Sequence, residues 1–417
     1  MRKLFTPIKL AVHNLRSNVA RTTFTLLGVV IGITSVILVT STGDGVKSYI
    51  LGQIESFGTD VIQAEVKIPA VGKNSSTNAT SQAMGVQITT LTVSDAEAIK
   101  KLPNVREVYA GTIGQEIVNY LGTNKRVLLF GAGAGVPEVD PGVKIAEGNF
   151  YSEAEDNSLA QVVVLGSDVK DSLFGDESAI GKEVRIKGQN YKVVGTLVPR
   201  GSVTFFNLDD LMYVPVQTLQ KKILGVNYVR SITVRVEDEN LLDVTGEDMT
   251  DLLRRKHNIN DPLKDDFSVT SIKEAQETIS DVFGTINILL LALTSISLIV
   301  GGVGIMNVMY VAVTERTFEI GLRKSVGARA GDILRQFLWE AVFITFLGGV
   351  AGIILGFILI KIITLVFSGL GFDLIFSLTW GSVFLATAFS MATGIIFGYY
   401  PAKKAASLTP VEALRKE

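Results

Sequence analysis

The chain has no cysteine and only two histidines, His13 and His257, in 417 residues. No disulfide framework, thiol nucleophile or cysteine-ligated metal is available to it. The histidines stand far apart in sequence, which suits neither a histidine metal site nor a Ser-His-Asp arrangement. Each reads as an ordinary surface residue. Charge is scarce, with 19% of residues charged. A phosphate loop is missing as well. The nearest stretch, GDESAIGKEV at 175–184, has five residues between its glycines and Glu183 where a hydroxyl should hold magnesium. GAGAG at 131–135 does not complete a dinucleotide fingerprint. The carboxylate pairs Asp209–Asp210 and Asp265–Asp266 read as solvated turns. No catalytic, cofactor-binding or metal-ligating residue is nominated, and the chain is not expected to be an enzyme.

What the sequence has in abundance is apolar residues, 47% of the total, with a mean hydropathy of +0.37. They cluster into four runs long enough to cross a hydrocarbon core of about 30 Å, placed at 24–42, 284–313, 337–367 and 382–400. No small-residue cleavage site follows the first run, so it reads as a retained anchor rather than a removed signal. Lysine and arginine mark the cytoplasmic side. They gather before span one (Arg2, Lys3, Lys9, Arg16, Arg21), between spans two and three (Arg316, Arg323, Lys324, Arg329, Arg335) and after span four (Lys403, Lys404, Arg415, Lys416). The loop 368–381 has none. Both termini, the N-terminal stretch 1–23 (read as a helix), the segment 314–336 and the tail 401–417 are therefore expected in the cytoplasm. Residues 43–283 and the loop 368–381 are expected outside.

The 43–283 region is large enough for its own core. It carries about ten more acidic than basic residues, which reads as solubility, with steering of a cationic ligand as the alternative. Its pattern predicts an α+β module. The opening and closing β-α-β parts enclose a β-rich insertion. A helix is expected after Ser94 as N-cap, with Glu97 completing a capping box and Pro103 ending it. EVRIKGQNYKVVGTLV at 183–198 predicts a hairpin turning at Gly-Gln-Asn. The Ser/Asn-rich loop 72–85 holds two formal glycosylation sequons that composition alone explains. A helix beginning near 271 is expected to run into span two as a stalk.

Small residues recur within the spans. Gly28 and Gly32 in span one, Gly348, Gly352 and Gly356 in span three, and Gly394 and Gly398 in span four are each spaced by four. Such faces let helix backbones approach closely in lipid. Packing within one subunit is one reading. Contact between copies, with span one favoured, is the other.

The stretch YVAVTERTFEIGLRKSVGARAGDILRQFL, 310–338, interrupts the apolar pattern with charge. Glu315, Arg316, Glu319 and Arg323 have spacings suited to pairing on a helix, and Glu319 to Arg323 has the favourable order. Phe318, Ile320 and Leu322 add apolar contact, Gly327 interrupts, and Ala330 restarts a helix. A docking element for a cytoplasmic partner and a basic loop on anionic lipid fit this stretch equally.

LIVGGVGIMNVMYVAVTERTFEIGLRKSVGA, 298–328, resembles the signature of MacB/FtsX-type ABC transporter permeases. ARTTFTLLGVVIGITSVILV, GVKSYILGQIESFGTDVI, VVVLGSDVKDSLFGDESAIGKEVRIKGQNYKVVGTL and YYPAKKAASLTPVEALRKE resemble further family blocks in the same order. The resemblance implies a multi-pass protein of the cytoplasmic membrane. Its four transmembrane helices would carry a large α+β extracytoplasmic domain, with a sabre-like insertion at about 111–226. It implies a homodimer without nucleic acid as a partner, a separate ABC ATPase subunit that binds ATP and magnesium, and no cofactor on this chain. An adaptor of the membrane-fusion type is a further candidate partner, set by the cell envelope. ATPase coupling falls to Glu315, Arg316, Phe318, Glu319, Ile320, Arg323 and Lys324. The implied function is to turn ATP hydrolysis into movement of the outer domain, for export of a drug, peptide or lipid-linked molecule. An FtsX-like activator of a cell-wall hydrolase and a Lol-like lipoprotein-release permease are the alternatives.

Overall fold

The computed structural model describes residues 19–55, 58–67, 88–203, 206–369, 374 and 376–414. Most of the expected N-terminal helix, His13, the sequon loop and part of the 368–381 loop lie outside them. The chain divides into two units, one of residues 1–49 and 279–417 and the other of residues 50–278.

Helix α1 (Val19–Glu55) is followed by the second unit. In chain order this unit runs β1 (Val61–Val66), α2 (Val93–Ile99), β2 (Val105–Tyr120), β3 (Thr123–Ala132), β4 (Ile145–Gly148) and β5 (Val162–Leu165). It continues with α3 (Ser167–Phe174), β6 (Glu183–Ile186), β7 (Gln189–Leu197), β8 (Leu211–Pro215), β9 (Ser231–Val236), α4 (Leu242–His257) and β10 (Phe267–Ser271).

The outer strands of this order make a four-stranded antiparallel layer, β10-β1-β9-β2, flanked by α2 and α4. This is a ferredoxin-like split β-α-β arrangement. Its core is apolar side chains from alternate strand positions and one face of each helix, including Ile62, Ile99, Ile232 and Leu253. Complete burial of one such side chain is worth about 1.5–3 kcal/mol.

The insertion is built differently. Strand pairing runs β2-β3-β8-β5-β7-β6 and returns to β2, so six strands close into a ring. Strand β4 adds to β7 outside this ring as an edge strand. Val118, Leu129, Val163, Ile186, Tyr191 and Met212 form one core of this part together with Val169 and Phe174 of α3. Strand β2 belongs to both parts. Residues 105–111 pair with β9, and from Gly111 onward the strand pairs with β3.

Three local expectations change. Helix α2 is capped by Thr92, not Ser94. The Thr92 backbone N–H donates to Asp95 Oδ2 at 2.8 Å, and Asp95 closes the capping box two residues before Glu97. The side chain of Ser94 instead receives a hydrogen bond from Lys256. The hairpin β6–β7 turns at Lys187-Gly188, with φ of 47° and 81°, and β2–β3 turns likewise at Leu121-Gly122, with 46° and 94°. Two-residue hairpins whose twist matches the strands need positive φ at both positions, and glycine takes the second without strain. His257, expected at the surface, has a side chain only 8% exposed, with Nδ1 2.8 Å from Asp266 Oδ1.

The carboxylate pairs are structural as well. Asp265 is held by Arg254 at 2.7 Å, and Asp209 accepts from the Arg200 and Gly201 backbone amides.

The remaining elements are α5 (Ile272–Glu315), α6 (Thr317–Ser325), α7 (Ala330–Gly369), α8 (Trp380–Ser407) and α9 (Pro410–Leu414). Helices α1, α5, α7 and α8 are long and apolar enough to cross a membrane. The expected stalk is the first part of α5, a single helix of 44 residues. Thr409 and Glu412 form a capping box at α9, with the Glu412 N–H donating to Thr409 Oγ1 at 3.3 Å and the Thr409 N–H to Glu412 Oε2 at 3.2 Å.

Candidate functional site: the charged helix between spans two and three

Helix α6 is short because its ends are marked in the sequence. Arg316 breaks from α5 with non-helical backbone angles, and Gly327, at φ of 101°, ends the turn that follows α6. Glycine reaches that angle at no steric cost.

Over its nine residues and the capping residue at each end, α6 presents two opposed stripes, each with four-residue spacing. The first is Arg316, Ile320 and Lys324, and it faces the other helices of its unit. Arg316 Nη1 lies 3.3 Å from Glu340 Oε2 on α7, and the Glu340 side chain is 2% exposed. Ile320 is buried. Lys324 Nζ donates to the carbonyls of Ala406 and Leu408, the latter at 2.6 Å. These carbonyls stand at the C-terminus of α8, where the last turn leaves acceptors unpaired and the helix dipole favours a cation.

The second stripe is Phe318, Leu322 and Val326, which are 61%, 52% and 83% exposed. Glu315, at the end of α5, is exposed too. Between the stripes Glu319 accepts from the Arg323 guanidinium, and Arg323 Nη1 also donates to Gln336 Oε1 at 2.7 Å. Of the seven residues nominated from sequence, Arg316, Ile320 and Lys324 therefore fasten the helix. Glu315 and Phe318 face outward, and Glu319 with Arg323 forms the half-exposed flank. Val326, Gln336 and the α8 carbonyls were not nominated. The spacing of Val326 from Phe318 and Leu322 was the available signal.

The glycines explain how the helices around α6 are held. A Cβ on Gly28 would fall 2.8 Å from Gly301 Cα, and one on Gly32 would meet Leu298. Gly348, Gly352 and Gly356 of α7 receive Val29, Ile33 and Ile37 of α1. Gly394 and Gly398 let α8 close on Thr345 and Ala341 of α7. Two hydroxyls add bonds between helices, Thr34 Oγ1 to Gly352 O at 3.0 Å and Ser390 Oγ to Thr345 O at 2.6 Å. The span-one glycines, favoured from sequence as a contact between copies, are thus filled within the chain. The reason is that α5 offers Gly301 and the Leu298 side chain at matching heights.

Comparison with known proteins gives concordant results. The model of the MacB-like periplasmic core domain matches residues 22–252, and that of the FtsX-like permease C-terminal domain matches residues 291–410. A macrolide export ATP-binding/permease protein MacB from Bdellovibrio bacteriovorus is 33% identical over 419 residues, which cover 100% of this chain and 62% of that protein. The protein of the same name from a Shewanella species is 37% identical, covering 98% of this chain and 60% of its own length. The chain thus spans about three fifths of the length of these curated relatives. Among solved structures, the periplasmic region of MacB from Actinobacillus actinomycetemcomitans superposes with a TM-score of 0.46 at 24% identity, covering 55% of this chain and 97% of that one. The extracellular domain of the ABC-type transporter YknZ from Gram-positive bacteria gives 0.41 at 21% identity, covering 51% of this chain and 100% of that one.

Proposed function

This chain belongs to the MacB-like family of ABC transporter permeases, and from that premise we propose that it couples an ATPase to movement of its own second unit. The ATPase lies outside these 417 residues and carries the ATP and magnesium. The chain sits in the cytoplasmic membrane as a pair of copies, with both termini and α6 on the cytoplasmic side and the second unit outside. The exported molecule is a drug, peptide or lipid-linked compound; the relatives' name, macrolide export, supports the drug class.

The observation that carries this reading is the two-sided character of α6. Its outward stripe, Phe318, Leu322 and Val326, is apolar and exposed beside a half-exposed ion pair. An apolar anchor edged by charges is what a helix lying in a partner's groove requires. Its inward stripe is tied to α7 and α8 by Glu340 and by the α8 carbonyls. A push on α6 is therefore resisted by side-chain bonds rather than absorbed by a slack loop. Lipid contact alone would not need that fastening.

The test has two arms. Single cysteines are introduced at Leu121, 87% exposed, and Val326, 83% exposed, in a chain with no native cysteine. In intact cells an impermeant maleimide should label Leu121→Cys and spare Val326→Cys. In reconstituted vesicles, the double change Phe318→Ser/Leu322→Ser should abolish assembly with the ATPase that binds the wild-type chain. Reversed labelling, or wild-type assembly by the double variant, overturns the reading.

A further inference from the structure

Part of the acidic surplus of the 43–283 region gathers around one cleft of the second unit. The cleft, of about 280 Å³, lies between α2, the β2 segment 107–110 and two short helices, Val136–Val139 and Glu153–Asn157. Its buried lining is apolar, with Ala96, Val108 and Val216. Its exposed lining is acidic, with Glu97, Glu138 and Glu153. None of these three carboxylates forms an ion pair among the described residues. Lys100 is the only cation lining the cleft among those residues, and Glu107 already holds it at 2.8 Å. Its ammonium is kept above the ordinary lysine range by Glu107, against desolvation, with Glu153 and Glu138 adding smaller pushes. Several carboxylates thus converge where the chain supplies one ammonium.

Solubility accounts for exposed acids, but not for Asp156. This residue lines the same cleft and is only 7% exposed. Its Oδ1 accepts from the Gln217 backbone N–H at 3.0 Å, and its Oδ2 has no hydrogen-bond partner among the described residues. A carboxylate oxygen withdrawn from water and left without a donor is costly, and a donor entering the cleft relieves that cost.

The spread of the charges selects the donor. A metal ion is a poor match, because no group of three acidic or histidine side chains among the described residues could hold one. The carboxylates are distributed around the cleft instead. An extended cation meets them with separate ammonium groups, each offering three donors and no acceptor. Its methylene segments suit the apolar lining. The cleft is slightly smaller than the about 300–1,000 Å³ of sites for drug-sized ligands, so its occupant is smaller than the exported compound considered above.

We infer that this cleft binds a linear aliphatic polyamine, with one ammonium donating to Asp156 Oδ2 and the others meeting Glu97, Glu138 and Glu153. The acidic surface around it raises the local concentration of such a cation. The site is complete within the second unit of one copy, so the inference depends neither on the ATPase nor on the pairing of copies.

The test is isothermal titration calorimetry at pH 7 on the full chain in nanodiscs of zwitterionic lipid, which holds no polyamine of its own. The probes are the triamine spermidine and the monoamine butylamine. One saturable spermidine site per chain is expected, at least about tenfold tighter than any butylamine binding. Asp156→Asn should weaken spermidine at least about tenfold. Asp176→Asn, which removes an exposed acid outside the cleft, should bind like wild type. Thermal midpoints confirm that both variants are folded. They also read the site a second time, because spermidine should raise the midpoint of wild type and of Asp176→Asn but not of Asp156→Asn. Absence of a saturable site in wild type, wild-type affinity in Asp156→Asn, or butylamine binding as tightly as spermidine would overturn the inference. Displacement of spermidine by magnesium at matched ionic strength would do so too, since that marks diffuse surface charge.

Discussion

Arg316 and Glu340 form an ion pair between the start of α6 and the third span, with Nη1 3.3 Å from Oε2 and the carboxylate side chain almost completely buried. Removing the cation leaves a charge in a low-dielectric site, which costs about 3–5 kcal/mol. Arg316→Ala should therefore destabilise the chain strongly. Glu340→Gln should cost less, because a neutral amide oxygen still accepts from the guanidinium. The thermal midpoint of the detergent-solubilised chain reads this order. If Arg316→Ala is the milder of the two, the pair does not hold α6 in place.

The Glu319–Arg323 pair makes the opposite prediction. Both side chains are more than a third exposed, so the pair contributes only about 0.3–0.5 kcal/mol to folding. Opposed to a partner's charge in a desolvated groove, either residue is worth about 2–5 kcal/mol. Glu319→Arg or Arg323→Glu should leave the thermal midpoint nearly unchanged and abolish permease-stimulated ATP turnover. A loop resting on anionic lipid predicts that Glu319→Arg strengthens membrane association instead. Wild-type stimulation by both variants would remove the pair from the docking surface.

The close approach of α1 and α5 can be probed at one atom. A Cβ on Gly301 would sit 2.8 Å from the Gly28 carbonyl carbon and 2.9 Å from the Val29 nitrogen. Backbone cannot swing aside as a side chain does, so Gly301→Ala should cost about 1–3 kcal/mol through overpacking. Gly331→Ala meets nothing within 4 Å in the first turn of α7 and should be neutral or slightly stabilising. Equal midpoints for the two variants would mean that α1 and α5 do not pack backbone to backbone.

Asp156 gives the second unit a pH dependence. Burial pushes its carboxyl up from 3.8 to about 6; the Gln217 backbone N–H, which opposes the rise, does not cancel it. The fold thus favours the protonated form. The associated stability is complete below pH 3.8 and is lost as pH rises through about 6. Asp156→Asn keeps an acceptor for Gln217 and carries no charge. Denaturation of the whole chain, followed by a probe in the second unit, should give similar stabilities for both proteins near pH 4. By pH 7 the variant should lead by about 1–3 kcal/mol. A constant difference across that range would show that Asp156 is not the titrating group.

How much was legible follows the distance over which each feature is decided. The four spans, the stalk that runs into span two and the restart of helix at Ala330 depend on neighbours within a turn or two, and the sequence displays them. The cap of α2 was misplaced because Thr92 and Ser94 both precede a suitable acid, and only backbone angles choose between them. The ring of six strands was out of reach. Its parallel pairs, β3 with β8 and β5 with β7, join segments brought together by tertiary packing alone. The outward stripe of α6 was written in the spacing of Phe318, Leu322 and Val326. The role of Lys324 was not, since its acceptors lie 82 and 84 residues away in the chain.

Strand β2 sets a practical limit on exchanging parts between relatives. Its 16 residues form one uninterrupted strand whose partner changes at Gly111. A chimera spliced at that residue would cut the strand where two ladders meet, leaving both halves with frayed ends. Transplants of the insertion should therefore carry the whole of β2 together with β9, so that every hydrogen bond along the shared backbone keeps its native donor and acceptor.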